Sequence, residues 1–259
     1  MKGTPDWAGD LQTTALAVEG PVAVVTLQRP EAANARNQTM RSELERLWHH
    51  LAGRDDVNAV ILTGAGDRFF CAGMDLKEAG AEESPADRRD RLRSSRDIEQ
   101  LATLPQPTVA AVNGYALGGG LEMALACDLR IMAAHAQIGL TELAHGLVPG
   151  GGGTQRLPRL IGSARAAEML YLGLRLDGPA ALAWGLANRC VPAGELMESA
   201  RELAGQVAVQ PRRALVYAKE LLRQAQEGPL SQGVERELDA LLTLLAERQA
   251  RAGVEGAET

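Results

Sequence analysis

The chain has 259 residues, of which 46% are apolar, and a formal net charge of -6. This length and apolar content are sufficient for a sizeable core in one large domain, or in one domain with an appendage. The negative charge argues against a nucleic-acid-binding protein, because phosphate binding draws on a net basic face. Three widely spaced cysteines without a CxxC pair favour reduced thiols over disulfides or a zinc site.

The sequence gives no sign of a membrane or metal-binding protein. The N-terminal stretch MKGTPDWAGDLQTTALAV has no apolar segment behind its early lysine, unlike a secretory signal. The most apolar region, residues 109–136, is interrupted by Glu122, Asp128 and Arg130, which is incompatible with a bilayer span. The histidines show no metal-ligand spacing such as HExxH. We therefore expect a soluble, cytoplasmic protein without a bound metal ion.

The first elements alternate between strand and helix. LAVEGPVAVVTLQ (16–28) predicts a hairpin around Gly20 and Pro21, because β-branched residues flank turn residues. TMRSELERLWHHL (39–51) has apolar residues at helical spacing, and NAVILTG (58–64) is a continuous apolar run typical of a buried strand. The order indicates a β-α unit.

A similar order returns between residues 107 and 157. PTVAAVNG (107–114) predicts a strand and GLEMALAC (120–127) a helix. Two short strands follow, and a Pro-Gly turn at 149–153 leads into another helix. These segments predict successive β-β-α units.

Beyond residue 154 the pattern predicts almost only helices, and we place a domain boundary near residue 195. Residues 1–195 would form the core, and residues 196–259 a helical C-terminal segment that also packs on a partner subunit. Apolar stripes at helical spacing occupy residues 163–172, 179–187, 195–207, 211–225 and 230–247.

The segment GGGLE (118–122) admits three interpretations. A dinucleotide fingerprint fails because Met123 stands where the final glycine or alanine is required, and a Walker loop fails for lack of Gly-Lys-Ser/Thr. The glycines can serve only a tight strand-to-helix turn. Alternatively they form an oxyanion site, because a helix N-terminus presents unpaired N–H groups that glycine leaves accessible.

An oxyanion site needs a second donor loop, because one N–H group is usually too few to stabilise an enolate. The segment FFCAGMDLKE (69–78) is the natural candidate. Ala72 and Gly73 are small, and Asp75 can cap a following turn.

Three blocks carry a specific resemblance: RFFCAGMDLKE, PTVAAVNGYALGGGLEMALACDLRI and TELAHGLVPGGGGTQRLPRLIG. They resemble, in order and nearly in spacing, the signature blocks of the crotonase superfamily, the enoyl-CoA hydratase/isomerase family. The resemblance implies an α/β fold: a crotonase-like spiral of β-β-α units with a helical C-terminal trimerisation segment. It further implies a homotrimer or dimer of trimers.

The resemblance also implies roles for individual residues. Met74 and Gly119 would donate the oxyanion N–H groups, and Glu122 and Glu142 would be the catalytic acids. No separate cofactor is implied, because coenzyme A is part of the substrate. The residues expected to contact coenzyme A are Ala72, Gly73, Asp75, Leu76, Lys77 and Arg36.

The implied reaction is addition of water to a trans-2-enoyl-CoA, giving a 3-hydroxyacyl-CoA as in fatty-acid β-oxidation. Two N–H donors polarise the thioester carbonyl, so that water can attack C3. Two nearby acids with unequal pKa values can divide the proton transfers. We assign Glu122 to the water and Glu142 to C2.

Other functions stay open. The same fold could serve an enoyl-CoA double-bond isomerase that uses one glutamate, although GLVPGGGG (146–153) lacks the additional aspartate of dienoyl-CoA isomerases. LVPGGGGTQRLPR (147–159) resembles methylglutaconyl-CoA hydratases, which suggests a branched substrate. A non-catalytic RNA-binding or scaffold protein is least favoured, because the net charge is negative and both glutamates are present.

Four features depart from the family or from simple expectation. Arg36, in NARN, stands where the family usually has an apolar residue; we expect it either at a coenzyme A phosphate near the entrance or in solvent. The segment DRRDRLRSSRD (87–97) predicts a self-paired surface helix, or alternatively a patch for a phosphorylated ligand. His145 is expected to be packed or solvated. The family's C-terminal Phe and Lys at the adenine have no counterparts, which predicts weaker coenzyme A binding.

Overall fold

The computed structural model describes residues 5–79 and 84–255. The chain divides into two compact units, one ending at Ala208 and one beginning at Val209. Each unit is described separately.

The first unit combines short strands and helices. Its strands within the described residues are β1 (Thr14–Glu19), β2 (Val22–Leu27), β3 (Ala59–Gly64), β4 (Phe69–Cys71), β5 (Thr108–Val112), β6 (Tyr115–Leu117), β7 (Leu129–Ala133), β8 (Gln137–Gly139), β9 (Leu176–Asp177) and β10 (Arg189–Val191). Its helices within the same residues are α1 (Gln38–Ala52), α2 (Leu76–Ala79), α3 (Pro85–Ser94), α4 (Asp97–Ala102), α5 (Gly119–Ala126), α6 (Gly153–Ile161), α7 (Ser163–Leu172), α8 (Gly178–Ala183) and α9 (Leu196–Ala208).

The strands form two sheets. One has the order β1-β2-β3-β5-β7-β10 and the other the order β4-β6-β8-β9. All neighbouring strands are parallel except β1 with β2 and β8 with β9. From β3 to β8, successive strands alternate between the two sheets, so each repeat adds one strand to each sheet before the chain continues. This arrangement is the predicted spiral of β-β-α units, and the α/β fold class is confirmed.

Local sequence signals account for the first elements. The predicted hairpin is confirmed, with β1 and β2 antiparallel around Gly20, whose φ is 62°. Helix α1 begins after Asn37, whose side chain accepts a hydrogen bond from Met40 N, a standard N-cap contact. Its apolar residues are buried, and Trp48 is 1% exposed. The helix thereby places its apolar face in the core.

The expectation of almost only helices beyond residue 154 is wrong for two segments, β9 and β10. Strand β9 has two residues and β10 has three, which is too short to produce an alternating apolar pattern. Strand β10 pairs in parallel with β7 at the sheet edge, and β9 pairs antiparallel with β8. Tertiary pairing, and not the local pattern, makes these segments extended.

The division between the units lies after Ala208, and not near residue 195 as the sequence suggested. The reason is helix α9, which buries Ala200, Ala204 and Ala208 at four-residue spacing. Small side chains on one face let this helix lie close to strands β3 and β5. Helix α9 therefore belongs to the core.

The second unit contains the helices α10 (Arg212–Gln224) and α11 (Leu230–Glu255), as the apolar stripes predicted. An ion pair between Arg213 and Glu247 joins them. Several leucines of this unit are exposed, including Leu222 and Leu230. Within the described residues, no helix has both the length and the apolar character to cross a bilayer.

Strand β4 and helix α5 pack with almost no space between them. A side-chain Cβ at Gly120 would lie 1.9 Å from the carbonyl oxygen of Cys71 and 3.0 Å from its Cβ. Real Cβ atoms do not approach an oxygen this closely, so only glycine fits. The contact fixes the start of α5 against the loop that follows β4.

We expect Gly120→Ala to lower the free energy of unfolding by about 1–3 kcal/mol, because the added methyl group must displace backbone atoms. Gly205→Ala in helix α9 is the matched control. Apart from the adjacent backbone of its own helix, no atom of the described residues lies within 4 Å of its Cβ position, and alanine is a better helix former by about 1 kcal/mol. Denaturant unfolding at one fixed protein concentration compares the two. Equal stability of both variants would contradict the close packing.

Candidate active site

Met74 and Gly119 lie close together at the junction of β4 and α5. The Cβ position of Gly119 is 3.7 Å from Met74 N, and that of Gly73 is 3.1 Å from Gly119 N. Gly73 has a φ of 97°, which a residue with a side chain rarely adopts. The structure thus brings the two predicted donors together, and glycine at position 73 is required both by conformation and by space.

Neither of these two N–H groups donates a hydrogen bond within residues 5–79 and 84–255. Gly119 is the first residue of α5, so its N–H group has no acceptor in the helix. The helix N-terminus adds partial positive charge. Two free donors at such a position can stabilise an oxygen that becomes negative during a reaction.

Glu122 lies in the first turn of α5 and is 4% exposed. Its Oε1 accepts hydrogen bonds from Gly151 N at 2.7 Å and Gly153 N at 2.8 Å. Arg156 holds this glycine loop through Nη1, which donates to Gly151 O at 2.7 Å. The orientation of the Glu122 carboxylate is therefore fixed by backbone donors from a separate loop.

These donors to Glu122 were not predicted from the sequence. Residues 149–153 were expected to form a turn leading into a helix and to belong to a family signature block, without a contact to Glu122. The signal was the run of four consecutive glycines, because N–H groups of glycines can approach a buried carboxylate. A Cβ at Gly151 would lie 2.7 Å from Oε2 of Glu122, so a side chain there would displace the carboxylate.

Glu142 begins a 3-10 turn, Glu142–His145, and is half-buried. Its Oε1 lies 3.1 Å from the Cβ position of Gly118, the glycine that precedes α5. Its Oε2 is buried and makes no hydrogen bond within the described residues. His145 is exposed, which agrees with a solvated side chain, one of the two expectations for it. Glu142 thus presents an unengaged oxygen beside the glycine turn.

The pKa of Glu142 is raised above its ordinary value. Burial is the main cause, and the negative charge of Glu122 adds to it. Backbone N–H groups and His145 oppose the rise without cancelling it. The site therefore contains two acids in unequal environments: Glu122 with two backbone donors, and Glu142 with a free oxygen and an elevated pKa.

The segment proposed to contact coenzyme A is held by structural bonds. Oδ1 of Asp75 accepts a hydrogen bond from Lys77 N at 3.1 Å, which confirms the predicted cap. Its Oδ2 pairs with Arg29 Nη1 at 3.0 Å. Ala72 N donates to Ala33 O at 3.1 Å. Lys77 is exposed, and the side chain of Leu76 lies outside the described part. Contacts of these residues with coenzyme A stay predictions.

Arg36 does not lie in solvent, and that expectation is wrong. It is 7% exposed and forms a two-pronged ion pair with Asp97, with Nη2–Oδ1 at 2.7 Å and Nε–Oδ2 at 3.0 Å. Its Nη1 lies 3.0 Å from the Cβ position of Gly119. Arg36 therefore borders the two free N–H groups, and its contact with a coenzyme A phosphate stays a prediction.

The arginine-rich segment 87–97 is not one continuous helix. Helix α3 ends at Ser94, and Asp97 begins the next helix, α4. Asp97 is buried and binds Arg36, 61 positions away. Arg89, Arg93 and Arg96 are exposed. Whether they bind a phosphorylated ligand stays a prediction.

The profile of the enoyl-CoA hydratase/isomerase family matches residues 17–259. The chain belongs to this family. The resemblance to the crotonase superfamily is thereby confirmed. A short-chain-enoyl-CoA hydratase of Clostridium acetobutylicum is 37% identical over 218 residues, covering 84% of each protein. A carnitinyl-CoA dehydratase of Proteus mirabilis is 40% identical over 222 residues, covering 86% of this chain and 84% of that protein.

Solved structures of the enoyl-CoA hydratase/isomerase family agree with this fold. A Thermobifida fusca protein solved in complex with acetoacetyl-CoA has a TM-score of 0.86 and 34% identity. The match covers 93% of this chain and 98% of that chain. The common fold extends over nearly the whole of both chains.

We expect Glu122→Gln to lower the pKa of Glu142, because one neighbouring negative charge is removed. The pKa should stay above the ordinary value, because burial is the larger cause. ¹³C NMR titration of labelled glutamate carboxyl carbons measures it, and Glu142→Gln assigns the signal. An unchanged or higher pKa in Glu122→Gln would show that the two carboxylates do not interact.

Proposed function

We propose that this protein is an enoyl-CoA hydratase that adds water to a trans-2-enoyl-CoA and releases a 3-hydroxyacyl-CoA. The observation that carries the proposal is the pair Glu122 and Glu142, which lie in unequal environments next to two free N–H donors. Hydration needs two proton transfers and one stabilised oxyanion. The site offers a residue for each of these tasks.

In the proposed mechanism, Met74 N and Gly119 N donate hydrogen bonds to the thioester oxygen. Water attacks C3 while Glu122 takes its proton, and the electrons of the C2–C3 double bond move toward the thioester oxygen as an enolate. Glu142 then gives a proton to C2, and the carbonyl forms again. One acid gains a proton and the other loses one, so the protonation of the pair is unchanged overall.

The environments of the two acids support this division. Glu142 has a raised pKa, so it holds a proton more readily than an ordinary glutamate and can act as the acid. Glu122 is held by Gly151 and Gly153, which leaves its second oxygen to accept a proton from water. Microscopic reversibility lets the same groups carry out dehydration in the opposite direction.

The relatives support the substrate class. Their names specify CoA thioesters, and the Thermobifida fusca protein was solved with acetoacetyl-CoA. We therefore propose an acyl-CoA thioester as substrate here, with coenzyme A as part of it. We also propose a homotrimer or dimer of trimers, for which the exposed leucines of the second unit offer an apolar surface.

A second candidate is dehydration of carnitinyl-CoA, which is favoured by 40% identity to a carnitinyl-CoA dehydratase. This reaction is the reverse direction of the same chemistry on a substrate with a cationic acyl group.

Purified protein incubated with a series of straight and branched trans-2-enoyl-CoA thioesters, and separately with carnitinyl-CoA, tests the proposal. We expect loss of the enoyl absorbance and a product heavier by one water molecule. A shifted double bond without added water would instead identify an isomerase. Turnover of carnitinyl-CoA alone would identify the dehydratase.

We expect Glu122→Gln and Glu142→Gln each to lower the hydration rate by about 10²–10⁴-fold, with substrate binding retained. The two variants should differ in a second reaction, exchange of the C2 proton of a saturated acyl-CoA with solvent. Glu122→Gln should keep this exchange and Glu142→Gln should lose it. Deuterium uptake followed by mass spectrometry measures the exchange.

The control is Glu168→Gln on helix α7, where the glutamate is exposed. This variant should hydrate and exchange as the unchanged protein does. Equal loss of exchange in both active-site variants would overturn the division of roles. Full hydration by either would exclude the two-acid mechanism.

A further inference from the structure

A buried ion pair borders the oxyanion site from the side of strand β4. Arg36 is 7% exposed and Asp97 is 2% exposed. Asp97 binds the edge of the guanidinium formed by Nε and Nη2, at distances from 2.6 to 3.0 Å. Ser95 Oγ donates to Asp97 Oδ1 at 3.2 Å. The geometry fixes the orientation of the guanidinium plane.

The remaining nitrogen, Nη1, makes no hydrogen bond in the part of the chain that the structure describes. It lies 3.0 Å from the Cβ position of Gly119, and this same position lies 3.7 Å from Met74 N. Nη1 and the two backbone donors therefore surround one small space. The side chain of Arg36 is 9% exposed, so Nη1 is a charged donor that is left available to a ligand oxygen.

The backbone of Arg36 belongs to the same structure. Arg36 N donates to Gly73 O at 2.8 Å, and Asp75 N donates to Arg36 O at 3.1 Å. These two bonds flank Met74 and join Arg36 to the loop that carries one oxyanion donor. The position of the guanidinium relative to Met74 N is consequently fixed.

We propose that Nη1 of Arg36 is a third donor to the thioester oxygen, and that Asp97 is the positioning residue that aims it. This inference rests on the proposed function. The oxygen carries more negative charge in the enolate than in the bound thioester. A charged donor therefore stabilises the transition state more than the ground state, because charge-assisted hydrogen bonds are about twice as strong as neutral ones. Arg36 would thereby act on the rate more than on binding.

A purely structural role makes a different prediction. If the ion pair only joins the β4 loop to α4, its removal would lower stability but leave the polarisation of a bound carbonyl unchanged. The test therefore needs a readout of the carbonyl itself, separate from folding and from turnover.

The probe is a cinnamoyl-CoA thioester with an electron-donating ring substituent, whose absorption moves to longer wavelength when its carbonyl is polarised. We expect a shift on binding to the unchanged protein. Arg36→Leu should lose most of this shift. Because that variant leaves Asp97 buried without its partner, the double variant Arg36→Leu/Asp97→Asn removes the uncompensated charge and should behave alike.

The matched control is Arg54→Leu. Arg54 is 4% exposed and makes a similar two-pronged contact with Asp56, at 2.6 and 2.7 Å, beyond the C-terminal end of helix α1. This variant should lose stability and keep the full spectral shift. Arg36→Lys, which retains a charge without the fixed fork, should keep part of the shift.

The steady-state kinetics of enoyl-CoA hydration give a second measurement. We expect Arg36→Leu to lower kcat by about 10²-fold, the usual effect of removing one oxyanion donor, while KM changes little. An unchanged spectral shift in Arg36→Leu and in the double variant, with the probe still bound, would overturn the proposal. So would the absence of any shift in the unchanged protein.

The spectral assay is independent of the proposed reaction. If the unchanged protein shifts the probe but hydrates no enoyl-CoA, the hydratase proposal fails, and loss of the shift in Arg36→Leu still supports Arg36 as a donor. If the unchanged protein hydrates enoyl-CoA and Arg36→Leu keeps the spectral shift, the hydratase proposal is supported and only the proposed role of Arg36 is overturned.

Discussion

The candidate active site depends on one close approach of two backbone segments, the loop after β4 and the first residues of α5. Between Gly73 and Gly119, and between Cys71 and Gly120, no side chain separates the two segments. The short distance between the two segments places Met74 N beside Gly119 N. Steric exclusion sets this distance, because any larger residue at Gly73 or Gly120 would push the segments apart.

The three glycines of the turn have three different reasons to be glycine. Gly118 has a φ of 52° and its Cβ position lies against the Glu142 carboxylate. Gly119 borders the space shared by Met74 N and Arg36 Nη1. Gly120 lies against the carbonyl of Cys71. One short sequence thus meets a conformational, a chemical and a packing requirement in consecutive residues.

Much of this arrangement follows from the sequence. Strand β3 is a continuous apolar run, α1 has strong helical spacing, and the glycine turn with its flanking blocks identified the family. The same blocks suggested Met74, Gly119, Glu122 and Glu142 as site residues, and the structure places these residues around the glycine turn. Local sequence patterns suffice to predict these elements because each of them buries most of one face. The N–H groups that donate to Glu122 were not predicted, because Gly151 and Gly153 approach this side chain only after the chain folds.

The ion pair between Arg36 and Asp97 shows the same limit more clearly. The sequence suggested either a coenzyme A phosphate or solvent for Arg36 and a self-paired helix for Asp97, and it gave no sign that these two residues pair. Their contact spans 61 positions. Burial of a charge is decided by such a partner, and neither composition nor periodicity specifies which one it will be.

Met74 and Gly119 contribute main-chain atoms, so a change of their side chains alters access to the donors but cannot delete them. The acids, in contrast, are ordinary side chains that a single codon change can replace. Under the proposed roles, a lineage with this scaffold can exchange its proton-transfer groups one at a time while the backbone donors to the thioester oxygen persist. Such a division between an inherited backbone function and replaceable side chains is a physical basis for divergence of reactions within one fold.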